Sequence, residues 1–219
     1  MSLSLLFKDE LKGFYKSKVM LVLWIGLPAL VFLIRMLEPG TGDIPLTMLS
    51  AIIISSIGGT LAAVMLAVSI INEKEKDIYD LYLIRPIKRR NILLSKFSAV
   101  YLCISIASAI AILTGLAVDY YNLGTIPMQA LNESASSLAT SLSMMAISSS
   151  AGVLIGVLSP EVLIGAILVI YGGNQVSVLP TLPSILGFSE SLPLTVLLGL
   201  GLSVLLLGLA IVFFERKQF

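Results

Sequence analysis

The sequence predicts an all-α, polytopic membrane protein with six transmembrane helices, an amino-terminal interfacial helix and a broken outer segment before helix six. Three observations predict it. Of 219 residues, 57% are hydrophobic and 12% charged, with mean hydropathy +1.01; a water-soluble domain carries roughly a quarter charged residues. Six runs contain no Asp, Glu, Lys or Arg: Val19 to Ile34, Ile44 to Asn72, Phe97 to Val118, Ser134 to Pro160, Val162 to Ser189 and Ser191 to Phe214. With the amino terminus inside, 13 of the 14 Lys and Arg fall on the inner side, leaving only Arg35 outside, which is the asymmetry that orients membrane helices. Residues 1–219 therefore read as one transmembrane domain in the cell membrane, with both termini cytoplasmic.

The amino-terminal residues place Phe7, Leu11 and Phe14 at helical spacing beside Lys8, Asp9, Lys12 and Lys16, the pattern of a helix lying on the inner membrane surface. Helix one runs from about Lys18 to Leu37, with Lys16, Lys18 and Arg35 snorkelling from its ends. Helix two carries Ser55, Ser56, Gly58, Gly59 and Thr60, a small polar face that suits either a translocation path or a helix contact. Helix three contains Cys103, the single cysteine, which reads as a small buried apolar residue. In helix four, Gly152 and Gly156 form a small-xxx-small pair, a device for close helix packing. Ser159, Pro160 and Glu161 make a tight turn at the interface, because proline ends a helix and a carboxylate is costly at mid-bilayer. Helix five extends from Val162 to about Gly172 or a few residues beyond. A broken segment follows, where Pro180, Pro183 and Phe188 suggest an apolar gate. Gly199, Gly201 and Gly208 of helix six read as packing devices.

Several functions are excluded or weakened by residue type. The chain has no histidine, which removes His-containing metal sites and Ser-His or Cys-His nucleophiles. A net charge of +1 gives no basic field for nucleic acid. The glycine pairs Gly58-Gly59 and Gly172-Gly173 lack the Gly-Lys-Ser/Thr that completes a phosphate loop. The polypeptide is thus expected to be neither an ATPase nor any other enzyme, and to need no cofactor.

The inner loop from Glu73 to Lys96 holds four acidic and seven basic residues. Glu73, Glu75, Asp77 and Asp80 precede Arg85, Lys88, Arg89, Arg90 and Lys96, the charge order that favours a short helix through its dipole. Ile78, Leu81 and Tyr82 share one face of that helix, and Pro86 stops it. A helix tied at both ends to spanning helices can transmit force from a soluble partner. The plainer reading is a solvated loop whose basic cluster fixes topology.

The run Glu73-Lys74-Glu75-Lys76-Asp77-Ile78-Tyr79-Asp80-Leu81-Tyr82-Leu83-Ile84-Arg85-Pro86, followed by Arg89 or Arg90 and Lys96, resembles the coupling loop of type-2 permease subunits of ATP-binding-cassette exporters. Glu73, Glu75, Asp80, Leu81, Pro86 and Lys96 match best, while Asp77 and Ile78 stand where that family commonly has Gly-Thr. The resemblance implies a permease subunit that forms the substrate pathway as a homodimer or heterodimer. Separate cytoplasmic ATPase subunits would couple through Glu73, Glu75, Asp77, Asp80, Leu81, Pro86, Arg89 and Lys96. Two other functions fit the same residues: a membrane scaffold that recruits a cytoplasmic partner without moving cargo, and an ion-coupled secondary transporter. The scarcity of charged residues at span midpoints argues against the last.

Overall fold

The computed structural model of the protein describes residues 3–37, 46–76, 89–123, 128–179 and 192–216; these are helical apart from short turns and contain no strand. In chain order the helices are α1 (Leu3–Tyr15), α2 (Lys18–Leu37), α3 (Leu46–Glu75), α4 (Arg89–Leu123), α5 (Met128–Leu158), α6 (Val162–Ser177) and α7 (Leu192–Arg216). Four of them, α3, α4, α5 and α7, are long and apolar enough to cross a membrane, and a fifth span results if α1 and α2 count as one bent pair. The described residues therefore support four or five spans where the sequence suggests six. The shortfall has a geometric cause in α6: Val162–Ser177 is apolar but short, reaching about 24 Å at 1.5 Å per residue against roughly 30 Å of hydrocarbon.

Ser17 makes the bend between α1 and α2. Its backbone N–H donates to the Phe14 carbonyl at 3.0 Å, closing α1, while its Oγ accepts the Met20 N–H at 3.2 Å. The same residue thus ends one helix and caps the start of the next, and the two axes turn by 60°. Along α1 the buried positions are Leu6 and Phe14, with Phe7 and Leu11 packed partly against the core.

The centre of the bundle is the α3–α5 pair. Gly152 and Gly156 of α5 lie against Ala63 and Ala67 of α3: a Cβ on Gly152 would come within 2.6 Å of the Ala63 Cα, and one on Gly156 within 3.0 Å of the Ala67 Cα. Small residues four apart on both helices let the backbones touch, so this glycine pair serves packing. Gly58 and Gly59 of α3 also serve packing, Gly58 against the Met145 and Ile104 side chains and Gly59 against Ser148, while Ser56 of the same small face is exposed. Cys103 is buried in the same core.

The buried serines of α5, Ser149 apart, are satisfied within their own helix. Ser141, Ser143, Ser148 and Ser150 each donate to a carbonyl three or four residues earlier in their own helix, which lets hydroxyls sit in an apolar bundle. Tyr101 of α4 donates to the Leu142 carbonyl at 3.2 Å, and Ser203 of α7 donates to the Ala146 carbonyl at 3.2 Å. Burial falls outward from this centre: 72% of the apolar window of α5 is buried, against 17% of that of α7. Gly199 of α7 packs against Ser143, but nothing among the described residues lies within 4 Å of a Cβ placed on Gly201 or Gly208. The packing role expected for those two glycines is therefore not met among the described residues.

Ser159, Pro160 and Glu161 connect α5 to α6 without helical structure, and α6 folds back along α3 and α5. The double glycine does not end α6. Val169–Gly173 form a π-helical turn and the helix continues to Ser177, because glycines without side chains tolerate the wider coil as well as they tolerate a break. The broken segment and the gate residues Pro180, Pro183 and Phe188 lie outside the described residues.

Candidate functional site

α3 ends where the loop to α4 begins, and its last two turns carry Ser69 and Glu73 four residues apart, on one face. Lys96 enters that face from the second turn of α4. Its ammonium lies 2.5 Å from Glu73 Oε1 and 2.8 Å from Glu10 Oε1 of α1, and it donates to Ser69 Oγ at 3.4 Å. The Phe14 ring sits 6.0 Å from the same nitrogen. The Lys96 side chain is 2% exposed and the two carboxylates 19% and 20%, so three charged groups from three helices are held away from water.

Burial of this kind is expensive and stays favourable only with short, hydrogen-bonded pairs. One ammonium faces two carboxylates, leaving a surplus negative charge. Glu73 Oε2 is buried with no hydrogen-bond partner among the described residues. The strain shows at Glu10: burial pushes its carboxyl above the usual carboxylate range, opposed by attraction to Lys96 and added to by the neighbouring Glu73 and Asp9. For a carboxyl raised by folding, the folded state binds the proton more tightly than the unfolded state. Glu10 therefore contributes least stability above its raised pKa, gains as pH falls through it, and levels off below the ordinary value of 4.5. Thermal unfolding across this range is expected to show the native chain gaining stability relative to Glu10→Gln as pH drops. A difference independent of pH would contradict the assignment.

Lys74, the next residue along α3, points to the other side of the bundle. Its ammonium donates to the Ser159 carbonyl at 2.6 Å and approaches the Val157 carbonyl at 3.5 Å. These are the terminal carbonyls of α5, which lack helical partners and carry the negative end of the helix dipole. Successive side chains on a helix diverge by about 100°. Glu73 and Lys74 accordingly tie the root of the loop in two directions, one to α1 and α4, the other to the α5–α6 turn.

Of the coupling residues read from the sequence, the structure brings Glu73 and Lys96 into direct contact. Glu75 is exposed and Arg89 half-buried in the first turn of α4. Asp77, Asp80, Leu81 and Pro86 lie outside the described residues. Sequence reasoning missed Glu10 as a site residue and gave Lys74 no partner. A signal for Glu10 was present: Leu6, Glu10 and Phe14 recur every four residues, which places a carboxylate inside the buried stripe of α1 and demands a cation.

Residues 6–191 match the family described as ABC-2 family transporter protein. The chain belongs to the ABC-2 transporter family. This ABC-2 transporter chain is an integral membrane protein with a permease role, as its apolar helices and its family together indicate. No curated relative matches the chain.

Proposed function

We propose that this ABC-2 chain is the membrane half of an ATP-driven exporter. It pairs with a second permease subunit, identical or related, to enclose the pathway, and cytoplasmic ATPase subunits that hydrolyse ATP dock on residues 77–88. In this reading six segments cross the bilayer, α1 lies on its inner surface, and both termini are cytoplasmic. On the same reading ATP hydrolysis belongs to the partner subunits and not to this chain.

The observation that carries the proposal is the Glu10–Lys96–Glu73 cluster. A loop that only connected two spans would need no buried ion pairs at its root. Here both helices that enter and leave the loop are clamped to each other and to the surface helix, and Lys74 clamps the third side. A push on residues 77–88 then reaches α1, α3, α4 and the α5–α6 turn together, because none of these contacts stretches without exposing an unpaired charge. The scaffold reading predicts docking without this rigid root.

The loop supplies its own test. Leu81→Asp and, separately, Asp80→Lys are expected to leave membrane insertion intact and to abolish ATP-dependent stimulation of transport. Leu81 contributes about 1.5–3 kcal/mol to docking if fully buried by the partner. Copurification of the ATPase and ATP-driven efflux from reconstituted vesicles are the readouts. Wild-type levels of both in both variants would overturn the docking assignment.

A further inference from the structure

The bend between α1 and α2 encloses an open cavity of about 280 Å³ lined by Tyr15, Lys16, Met20, Leu21 and Trp24. Its walls are chiefly apolar and its one charged lining residue is a cation. Lys18, also exposed, follows two residues later. Tyr15 meets Trp24 edge-on with ring centroids 5.7 Å apart. The indole Nε1–H of Trp24 is buried and has no hydrogen-bond partner among the described residues. Leu21 is 54% exposed beside it.

We propose that this elbow binds one anionic phospholipid of the inner leaflet, with the phosphate headgroup on Lys16 and an acyl chain along the exposed Tyr15 and Leu21. The proposal rests on the reading above that places α1 at the membrane surface. Charge and polarity select the occupant. A free phosphate would use the ammonium and leave the apolar walls wet. A neutral hydrocarbon would cover the walls, leaving Lys16 unpaired. A phospholipid supplies both parts. Tyrosine and tryptophan side chains concentrate at this depth of a bilayer because each joins an apolar ring to a polar tip. The lipid sits against the bend, so it braces the surface helix that carries Glu10.

The chain contains one tryptophan, so its fluorescence reports this site alone. The full-length protein is reconstituted in phosphatidylcholine vesicles carrying increasing fractions of chain-brominated phosphatidylglycerol or chain-brominated phosphatidylcholine. Half-maximal quenching of Trp24 is expected at about fivefold lower mole fraction of the anionic lipid, the scale of one lysine against anionic lipid. Lys16→Gln is expected to bring that ratio close to one, and Lys8→Gln, a change at an exposed lysine within α1, to leave it unchanged. Equal quenching by the two brominated lipids in the native chain would overturn the proposal. Equal loss of preference in both variants would do so too, because diffuse surface charge would then explain it. The assay needs neither ATPase nor cargo, so its failure is distinct from a failure of the exporter reading, which shows in ATP-dependent efflux.

Discussion

Lys96→Met is expected to cost about 3–5 kcal/mol of stability, the usual result of removing one partner from a buried ion pair. Methionine nearly matches the volume of lysine and fills an irregular site well, so the loss is electrostatic. Glu10 and Glu73 would remain as two largely buried carboxylates facing each other without a cation. The expected observation is a sharp fall in monodisperse protein after detergent extraction, with a lowered unfolding temperature in what remains. The triple variant Glu10→Gln/Glu73→Gln/Lys96→Met is expected to recover most of the loss, since neutral amides tolerate burial with partial hydrogen bonding far better than unpaired charges do. A single variant as stable as the native chain, or a triple variant no better than the single, would refute the buried cluster.

Gly152→Ala is the second substitution with a large expected effect, and it is informative because the same change elsewhere has the opposite sign. The added methyl would collide with the backbone of Ala63, which has no side-chain freedom with which to yield. Overpacking of this kind costs about 1–3 kcal/mol, occasionally more, and it forces apart the α3–α5 pair at the centre of the bundle. Gly201→Ala meets nothing within 4 Å and gains helix propensity, so it is expected to be neutral or stabilising by up to about 1 kcal/mol. Unfolding temperatures of the two variants in one detergent provide the comparison. Equal shifts would mean that the α3–α5 contact is looser than described.

What was legible in the sequence follows from how each feature is encoded. Apolar runs bounded by charge give the helices, and the small pair Gly152/Gly156 marks where helices touch, whereas the small face with Gly58-Gly59 suited a path or a contact alike until the structure packed both glycines. Ser159-Pro160-Glu161 encodes its own turn. The identity of packing partners is not encoded locally. Ala63 and Ala67 look like ordinary helix formers until Gly152 and Gly156 lie on them, and Gly201 and Gly208 carry the same local signature with no neighbour among the described residues. Glu73 and Lys96 could be chosen as site residues from the resemblance of their loop to a coupling loop. Their meeting, and the arrival of Glu10 from a helix more than sixty residues earlier than Glu73 in the chain, depend on tertiary folding. Lys74 reads as one charge among many in its loop, and only the end of α5 beside it reveals a helix cap. The continuation of α6 to Ser177 was only partly legible, because Gly172-Gly173 permits a break and a π-helical turn alike.

The cluster also joins the two proposals physically. α1 carries Glu10 on its buried side and Tyr15 at the elbow, so a lipid that braces the bend and an ion pair that locks α1 to the loop root act on one rigid element. Motion started at residues 77–88 would be felt at the membrane surface through this helix.

The most direct measurement of that transmission is a distance change between α1 and α6 in the assembled complex, since it needs no knowledge of the cargo. Spin labels placed at Lys12 and Tyr171, both exposed, on a Cys103→Ser background report it by pulsed electron paramagnetic resonance. Addition of a non-hydrolysable ATP analogue to the complex with its ATPase is expected to shift the distance distribution in the native cluster. In the Glu10→Gln/Glu73→Gln/Lys96→Met triple variant the ATPase is expected to stay bound and the shift to disappear. An identical shift in both would contradict transmission through Lys96.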